Sequence, residues 1–435
     1  MNKLLRALLK PMTVLTGTLL AVPAYAGIYV QCPGDKNGNA TFNDTTAEYP
    51  GLVSLLPAGV VQETPDPLHP NATCLHLAAG DGFIRMADGK PLYSFGFSNV
   101  TGVLPPGEIH RVGIVDVVSN GVISAATLGA NFSAPTIILK EGQEFYLTLS
   151  NVGMAMRPDL FDAHSVHFHG FPNAAPVFDG EPHASFGINM GSSLTYYYNV
   201  KEPGTFLYHC HVEAAEHMQM GMLGNLYVHP LQDGASYTYQ GKTYNKFVYN
   251  DGDGSTGYDV EYPVQLSSMD PVFHDLHIGI QPLPFADMKD TYAMINGRGY
   301  PDTASLTPPA PPTTDPMNNG GVISQPVSSL ISATPGQRIL LRVSNVSITN
   351  YYTVTALGLP MKVVGSGAHI LRGPTGKNLS YDTSSVTLGG GEAADVMIDT
   401  TGVPAGTYFL YTANLNYLSN NTEDFGGMMT EIVIQ

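Results

Sequence analysis

Short apolar or alternating segments, separated by glycine, proline, asparagine and aspartate, recur along the chain from about residue 77 to its end. Segments of this length and period are typical of β-strands with one buried face. Their spacing predicts an all-β fold of the sandwich or barrel type. The predicted strands cover residues 92–97, 136–139, 144–149, 194–200, 205–209, 339–343, 351–356, 394–398 and 407–411.

The pattern divides the chain into two β units. The first closes near His229, and the second begins near Lys246, so we expect domain 1 over residues 77–232 and domain 2 over residues 233–435. A loop rich in proline and threonine, residues 301–326, is interpreted as an insertion in domain 2. Residues 135–142 and 335–342 have similar patterns in similar places, which indicates one fold used twice.

The N-terminal residues predict export. Residues 1–26 combine a basic start, an apolar run and the small-residue sequence Ala24-Tyr25-Ala26, as a signal peptide does. We therefore expect a periplasmic or secreted protein with no membrane span after removal of the signal. Residues 27–76 are predicted to form an N-terminal extension. Cys32 and Cys74 lie near its two ends and are candidates for a disulfide in an oxidising compartment.

The composition and net charge of the chain indicate which classes of binding partner suit it. The chain has 435 residues, 43% of them apolar, which is enough for two or three packed cores. Its net charge of −17 argues against nucleic acid as a partner. Cationic partners, such as metal ions or a basic redox protein, suit this charge.

A first histidine-rich segment, residues 164–170, has the sequence HSVHFHG. Residues two apart on a strand share a face, whereas residues an odd number apart lie on opposite faces. His167 and His169 are therefore predicted to point one way, and His164 the other.

A second segment contains Cys210 between two histidines and continues to His217 and Met222. By the same strand rule, His209 and His211 share a face opposite to Cys210. If the strands of the two segments are adjacent, one side of the sheet carries both His164 and Cys210. The other side presents four histidines, so the pattern predicts two metal sites.

The side that carries the cysteine has the donors of a blue-copper centre, because two imidazoles, a thiolate and a weak axial thioether form its trigonal environment. His164, Cys210, His217 and Met222 supply this set. Zinc takes similar donors and is the alternative metal, but the methionine and the flanking histidine pairs favour copper. The backbone on either side of Cys210 would give electrons a short covalent path to the histidines of the second site.

At these residues the chain resembles the multicopper oxidase superfamily, which includes laccases, two-domain laccases and copper nitrite reductases. Residues 164–170 resemble the family motif H-x-x-H-x-H-G, and the Cys210 segment resembles the motif H-C-H…H…M. The resemblance implies two cupredoxin-like Greek-key β-sandwich domains. It assigns type 1 copper to His164, Cys210, His217 and Met222. It assigns half of a catalytic type 2/type 3 copper cluster to His167, His169, His209 and His211.

The chain departs from the family pattern in two ways. Six residues separate Cys210 from His217, in place of the four of the usual oxidase motif. The histidines of the other half of the cluster are absent from residues 350–358 and 411–416, the corresponding strands of domain 2. Completion by a neighbouring subunit of a homotrimer is one expectation, with His274, His277 and His369 as the candidate ligands.

Three functions compete at this point. The leading hypothesis is an exported oxidase that passes electrons from a donor through type 1 copper to the histidine-bound copper and on to oxygen. A nitrite-reductase-like enzyme is second, although His167 stands where those enzymes place a catalytic aspartate. A non-enzymatic blue-copper electron carrier is third. The electron donor stays open among small molecules, metal ions and redox proteins.

Overall fold

The computed structural model describes residues 32–33, 66–103, 111–112, 115–117, 120–311 and 318–435. The predicted signal peptide and most of the predicted extension lie outside this set. Cys32 and Cys74 form a disulfide, with their Cα atoms 6.1 Å apart. The first strand begins at Ala72, so the last residues assigned to the extension belong to the first sandwich.

Domain 1 is a sandwich of a six-stranded and a four-stranded sheet. Its strands are β1 (Ala72–Arg85), β2 (Pro91–Asn99), β3 (Arg111–Val112), β4 (Val115–Val117), β5 (Ile137–Lys140), β6 (Glu144–Asn151), β7 (His167–His169), β8 (Ser192–Asn199), β9 (Gly204–His209) and β10 (Leu223–His229). The sheet orders are β2-β1-β6-β8-β4-β3 and β5-β10-β9-β7. Its helices are α1 (Asn120–Ala126) and α2 (Ala214–Met220).

Domain 2 begins with a small hairpin of β11 (Tyr237–Tyr239) and β12 (Lys242–Tyr244). Its strands are β13 (Val260–Met269), β14 (Tyr292–Ile295), β15 (Ile331–Ala333), β16 (Arg338–Asn345), β17 (Tyr352–Ala356), β18 (Met361–Ser366), β19 (His369–Ile370), β20 (Tyr381–Thr383), β21 (Val386–Leu388), β22 (Ala393–Asp399), β23 (Gly406–Thr412) and β24 (Met429–Ile434). The sheet orders are β14-β13-β16-β22-β18-β19, with β20 beside β18, and β15-β24-β23-β17-β21. Helix α3 (Pro271–Ile278) precedes β14.

The two domains share their central strand order. The series β2-β1-β6-β8 in domain 1 corresponds to β14-β13-β16-β22 in domain 2, and β5-β10-β9-β7 corresponds to β15-β24-β23-β17. The all-β fold of two cupredoxin-like sandwiches is therefore confirmed. The sequence comparison matched residues 135–142 with residues 335–342, which is wrong by one strand. Residues 135–142 contain β5, whereas residues 335–342 contain the start of β16, and β16 corresponds to β6. The true match is the turn before β6 and β16, where Gly142 and Gly336 both have positive φ.

Strand β9 connects the domains because both of its faces are buried. Phe206 and Tyr208 pack into the core of domain 1. Leu207 packs against residues of domain 2, including Met269. The Thr205 hydroxyl donates to Asp395 of β22 at 2.5 Å. Thr205 and Leu207 share one face of β9, so His209, the next alternate residue, also lies on the face towards domain 2.

The insertion predicted at residues 301–326 packs on domain 1 where it is described. The Phe83 N–H donates to the Asn319 side chain at 2.8 Å, and the Arg85 N–H donates to the Gln325 side chain at 2.9 Å. These hydrogen bonds thus attach the insertion of domain 2 to the C-terminal end of β1 in domain 1. Among the described residues, no helix combines the length and the apolar character needed to cross a bilayer.

Candidate metal centre

The cysteine site lies inside domain 1, where three donors converge. The Cys210 Sγ atom is 3.2 Å from Nδ1 of His217 and 3.8 Å from Nδ1 of His164. All three side chains are fully buried. An ion bound at about 2.0 Å to nitrogen and 2.3 Å to sulfur separates such donors by about 3.5–3.8 Å. The observed distances bracket this range, so the three residues fit one metal ion.

The backbone holds Cys210 between the two segments. Cys210 follows the last residue of β9, and its N–H donates to the Met222 carbonyl at 3.1 Å. The Ser165 N–H lies 3.5 Å from the Cys210 Sγ atom and supplies a weak hydrogen bond to the sulfur. Such bonds stabilise the thiolate and tune a bound metal. Met222 is fully buried in the same core, directly after Gly221, whose φ of 117° turns the chain out of α2.

The electrostatics of this site favour the thiolate. Burial opposes ionisation of the Cys210 thiol, but its hydrogen bonds to His164 and His217 outweigh burial and lower its pKa to about 5. Burial likewise opposes protonation of His217, but Asp162 and Cys210 raise its pKa. The thiolate is the form of cysteine that binds a metal.

The four remaining histidines of the two segments form one cluster on the opposite face of the strands, as the strand period predicts. His167 and His209 are paired directly across β7 and β9. The rings of His167, His209 and His211 have centroids 4.9–5.5 Å apart. The His169 ring is slightly farther, with its centroid 5.8 Å from that of His209 and 6.1 Å from that of His167.

Three of these imidazoles are oriented by backbone carbonyls. The Nδ1 atoms of His167, His169 and His209 lie 2.7–2.9 Å from the carbonyl oxygens of Asp179, Gly391 and Cys210 respectively. A proton on Nδ1 leaves Nε2 with the lone pair that binds a metal.

Burial keeps two of the cluster's rings in the neutral form that binds a metal. It lowers the pKa of His209 to about 3 and also lowers the pKa of His167. The rings of His167, His209 and His211 are thus close together, but the groups of described residues whose ligand atoms lie within 4.8 Å of one another do not include them.

A cavity of about 480 Å³ opens between the histidine cluster and domain 2 of the same chain. Domain 2 lines it with residues 347–351 and with Gly390 and Gly391, none of which is a histidine. Both β17 and β23, the domain 2 counterparts of β7 and β9, lack histidine, as the sequence comparison predicted.

The three histidines expected to ligate across a subunit boundary have other contacts. His274 and His277 lie on α3, where the Asp270 side chain caps the N-terminus. Both are buried, and His277 Nε2 lies 2.8 Å from a Glu216 carboxylate oxygen. His369 is on β19, and its Nδ1 lies 2.7 Å from the Gly367 carbonyl oxygen. The aspartate before a proline is a helix-start signal that would have identified α3.

The structure also gathers side chains that the sequence did not single out. Oxygens of Asp162, Glu213 and Glu216 and a ring nitrogen of His217 all lie within 4.8 Å of one another. The two glutamates belong to the lengthened stretch between Cys210 and His217. Nothing in the local sequence places Asp162 beside them, because the contact is made in three dimensions.

Comparison with known proteins identifies related chains. A family model described as multicopper oxidase matches residues 116–233, and a second model of the same description matches residues 285–435. The multicopper oxidase MmcO of Mycobacterium tuberculosis is 25% identical over 299 residues, which are 65% of this chain and 49% of that protein. This chain therefore spans about half the length of the curated relative.

Solved structures show the same fold at low sequence identity. A blue copper oxidase from Nitrosomonas europaea superposes with a TM-score of 0.57 and 19% identity, over 83% of this chain and 86% of that chain. A copper nitrite reductase from Nitrosomonas europaea superposes with a TM-score of 0.53 and 16% identity, over 84% of this chain and 94% of that chain.

Proposed function

This chain belongs to the multicopper oxidase family, and we propose that it is an exported copper oxidoreductase that takes electrons from a donor at one copper and delivers them to oxygen at a second. Domain 1 (77–232) would hold both sites, and domain 2 (233–435) would cover the second. The observation that carries this proposal is the convergence of Cys210 Sγ with the Nδ1 atoms of His164 and His217 in a fully buried site.

In this proposal each residue of the cysteine site has a defined task. Cys210, His164 and His217 would bind type 1 copper, and Met222 would supply a weak thioether ligand. Bound copper supplies one-electron redox chemistry with little rearrangement of its ligands. The enclosing core excludes water and holds the donors in place.

The histidine cluster would hold the second copper centre, of type 2/type 3. His209 and His211 adjoin Cys210 in the chain, so the backbone connects the two sites directly. The backbone carbonyls that face the Nδ1 atoms of His167, His169 and His209 support this role, because they turn Nε2 towards the metal.

Export to the periplasm or the medium is part of the proposal. The signal-like residues 1–26 support it. The disulfide between Cys32 and Cys74 supports it as well, because disulfides persist in oxidising compartments.

A blue-copper electron carrier is the second candidate, and one observation favours it. The domain 2 wall of the cavity, residues 347–351 with Gly390 and Gly391, offers no imidazole to complete a cluster of three coppers. In a homotrimer, a second copy of the chain would supply the missing ligands. In a carrier the histidine cluster would take no part in turnover.

A nitrite-reductase-like activity ranks lower. His167 occupies the place of the catalytic aspartate in the resemblance. Asn414, at or near the place of the bridging histidine, caps a short 3-10 helix by accepting a hydrogen bond from the Asn416 N–H.

The experiment is to measure copper per chain, the visible and EPR spectra, and oxygen consumption of the copper-loaded protein. The double variant His167→Ala/His211→Ala serves as the comparison. We expect the wild type to be blue, to hold more than one copper per chain and to consume oxygen. The variant should stay blue but lose copper and oxygen consumption.

A single blue copper per chain, with no oxygen consumption, would select the electron carrier. Unchanged turnover in the double variant would overturn the role given to the histidine cluster. Light scattering of the loaded protein tests the homotrimer at the same time.

A further inference from the structure

We infer that two residues of domain 2, His274 and Asp290, are positioning residues for the cysteine site and act on it through Gln219 of α2. The inference rests on the proposed function and deepens it. It gives domain 2 a task in holding type 1 copper, although all four proposed ligands lie in domain 1. The starting point is Gln219, which lies two residues after His217 and is 1% exposed.

Helix α2 depends on contacts with other elements for its position. It has seven residues, and isolated helices shorter than about 12–15 residues are marginal in water. Its N-cap residue, Glu213, has left-handed backbone angles, and its side chain makes no capping hydrogen bond. The carbonyl oxygen of His217 accepts hydrogen bonds from the N–H groups of Gly221 and Met222, at 3.1 and 2.9 Å. A shift of α2 would therefore move two of the proposed copper ligands together.

The His274 imidazole bridges α2 and strand β2. It is fully buried, and its Nε2 lies 3.0 Å from the Gln219 carbonyl oxygen, whereas its Nδ1 lies 2.5 Å from the Tyr93 carbonyl oxygen. A neutral imidazole donates from one nitrogen and a protonated one from both, so at least one of these contacts is a hydrogen bond in either form. Strand β2 also supports the metal site directly, because the Phe95 ring packs edge-on against the His217 ring, with centroids 5.7 Å apart. His274 therefore sets the spacing between the two elements.

Asp290 holds the side chain of the same glutamine. The side-chain amide of Gln219 donates to Oδ1 of Asp290 at 3.1 Å. The other oxygen of this buried carboxylate accepts from the hydroxyl groups of Ser268, at 2.6 Å, and Thr349. A carboxylate that accepts three hydrogen bonds has little freedom to move. Domain 2 thus holds Gln219 by both its backbone and its side chain.

Helix α3 is itself anchored in domain 1. Phe273 is fully buried and packs into the hydrophobic core of domain 1. One turn later, His277 Nε2 lies 2.8 Å from a carboxylate oxygen of Glu216. Domain 2 therefore contacts α2 one residue before His217 and again two residues after it.

These contacts matter because a metal is tuned by the residues that orient its ligands. Nδ1 of His217 lies 3.2 Å from Cys210 Sγ, and this separation depends on where α2 sits. A copper centre that changes oxidation state with little rearrangement needs donors held in one geometry. Loss of the support from domain 2 should therefore weaken copper binding and alter the properties of the bound metal.

The test compares two buried glutamines whose side chains join the domains. Gln219→Met removes the amide that donates to Asp290, while it keeps the side-chain length and the backbone carbonyl. The matched control is Gln325→Met, which removes the acceptor for the Arg85 N–H on β1, a strand without a proposed copper ligand. We expect Gln219→Met to weaken type 1 copper binding about tenfold or more, as read from blue absorption during copper titration. The control should bind copper as the wild type does.

His274 is tested by loss and rescue. His274→Ala should change the copper hyperfine splitting in the EPR spectrum and shift the reduction potential. A tenfold loss of affinity for one oxidation state shifts a one-electron potential by about 59 mV. His274→Gln should restore most of the wild-type behaviour, because its amide can donate to a carbonyl. If His274→Ala fails to fold, Gln219→Met decides.

Hydrogen exchange provides a readout without copper. The amides of α2 in the copper-free protein should exchange faster in Gln219→Met than in the wild type or in Gln325→Met. Unchanged copper affinity, potential and α2 exchange in Gln219→Met, while the wild type is blue, would overturn this inference and leave the proposed function standing. An equal loss in Gln325→Met would also overturn it, because it would reflect general loosening between the domains. A copper-loaded wild type without blue absorption would refute the proposed function, and this inference with it.

Discussion

Gly391 shows how a single residue of domain 2 shapes the histidine cluster of domain 1. Its φ is +87°, and its carbonyl oxygen lies 2.8 Å from Nδ1 of His169. A Cβ atom added at this glycine would fall 2.3 Å from Cε1 of His169. The absence of a side chain is therefore required for the ring to occupy its position.

We predict that Gly391→Ala displaces His169 and lowers the affinity of the second metal site about 10–100-fold, the usual cost of losing an orienting contact. The blue absorption should be unchanged, because Cys210 lies on the opposite face of the strand. Copper titration followed by EPR measures both effects.

Gly376→Ala is the control for Gly391→Ala. Gly376 has a φ of +82°, but a Cβ atom there meets no neighbour within 4 Å. The control thus carries the same backbone strain without the contact to His169. Equal loss of metal in both variants would contradict the steric explanation.

At the scale of elements, the disulfide joins a distant segment to the start of β1. Cys74 lies within β1 and is fully buried, and Cys32 precedes it by 42 residues. A cross-link over such a loop restricts the unfolded chain more than the folded one. The disulfide therefore contributes to the stability of domain 1 by restricting the unfolded chain.

We expect Cys32→Ser/Cys74→Ser to lower the free energy of unfolding by about 2–4 kcal/mol. Urea unfolding followed by circular dichroism measures the loss. The blue absorption should persist in the folded variant, since Cys210 is the cysteine ligand of copper in the proposed function. A variant as stable as the wild type would show that the segment is held by other contacts.

At the scale of the whole molecule, a buried ionic cluster joins the two sandwiches. Arg342 of β16 is fully buried and contacts Glu261 at 2.5 Å and Asp395 at 3.6 Å. His229, at the end of domain 1, lies 2.9 Å from Glu261. Thr205 of β9 donates to Asp395, so both ends of the cluster are anchored in domain 1. The cluster thus links domain 1 to β13, β16 and β22 of domain 2.

Arg342→Leu should lower the free energy of unfolding by about 3–5 kcal/mol, because it removes the cation beside buried Asp395 and one of the two cations beside buried Glu261. Chemical denaturation measures this loss. The control is Lys362→Leu, which breaks an exposed pair with Asp382 and should cost less than about 1 kcal/mol. Equal losses would contradict the central place given to Arg342.

The same cluster predicts how stability depends on pH. Burial of Glu261 opposes its ionisation, but Arg342 and His229 outweigh burial and lower its pKa. This stabilisation is present above the unfolded pKa of about 4.5 and is lost as pH falls through the folded pKa. Burial opposes protonation of His229, but Glu261 raises its pKa, so that contribution is complete below about 6.5 and is lost as pH rises through the raised pKa.

We therefore expect the wild type to exceed His229→Gln in unfolding free energy most strongly between about pH 4.5 and 6.5. Denaturation curves at several pH values give this difference. A difference that does not change from pH 5 to 9 would show that folding does not raise the pKa of His229.

The sequence alone determined the strands and the sorting of the metal donors, because strand period is a local property of two or three residues. It placed Cys210 opposite His209 and His211, and the structure brings each set together as that rule predicts. It also anticipated that β17 and β23 carry no histidine. The sequence analysis missed the start of β1 because the residues around it have a loop-rich composition. It missed helix α3 because the helix-start signal there competes with the strand spacing of domain 2.

Only the tertiary structure decided what surrounds those donors. The contact of His169 with Gly391 joins residues 222 positions apart, and Asp162 meets Glu213 and Glu216 across the turn into α2. Such contacts depend on how two sandwiches pack, and side-chain pattern along one strand carries no information on that packing. The donors of the proposed metal sites are thus encoded locally, whereas the cavity wall and the carboxylate cluster beside His217 arise from long-range packing.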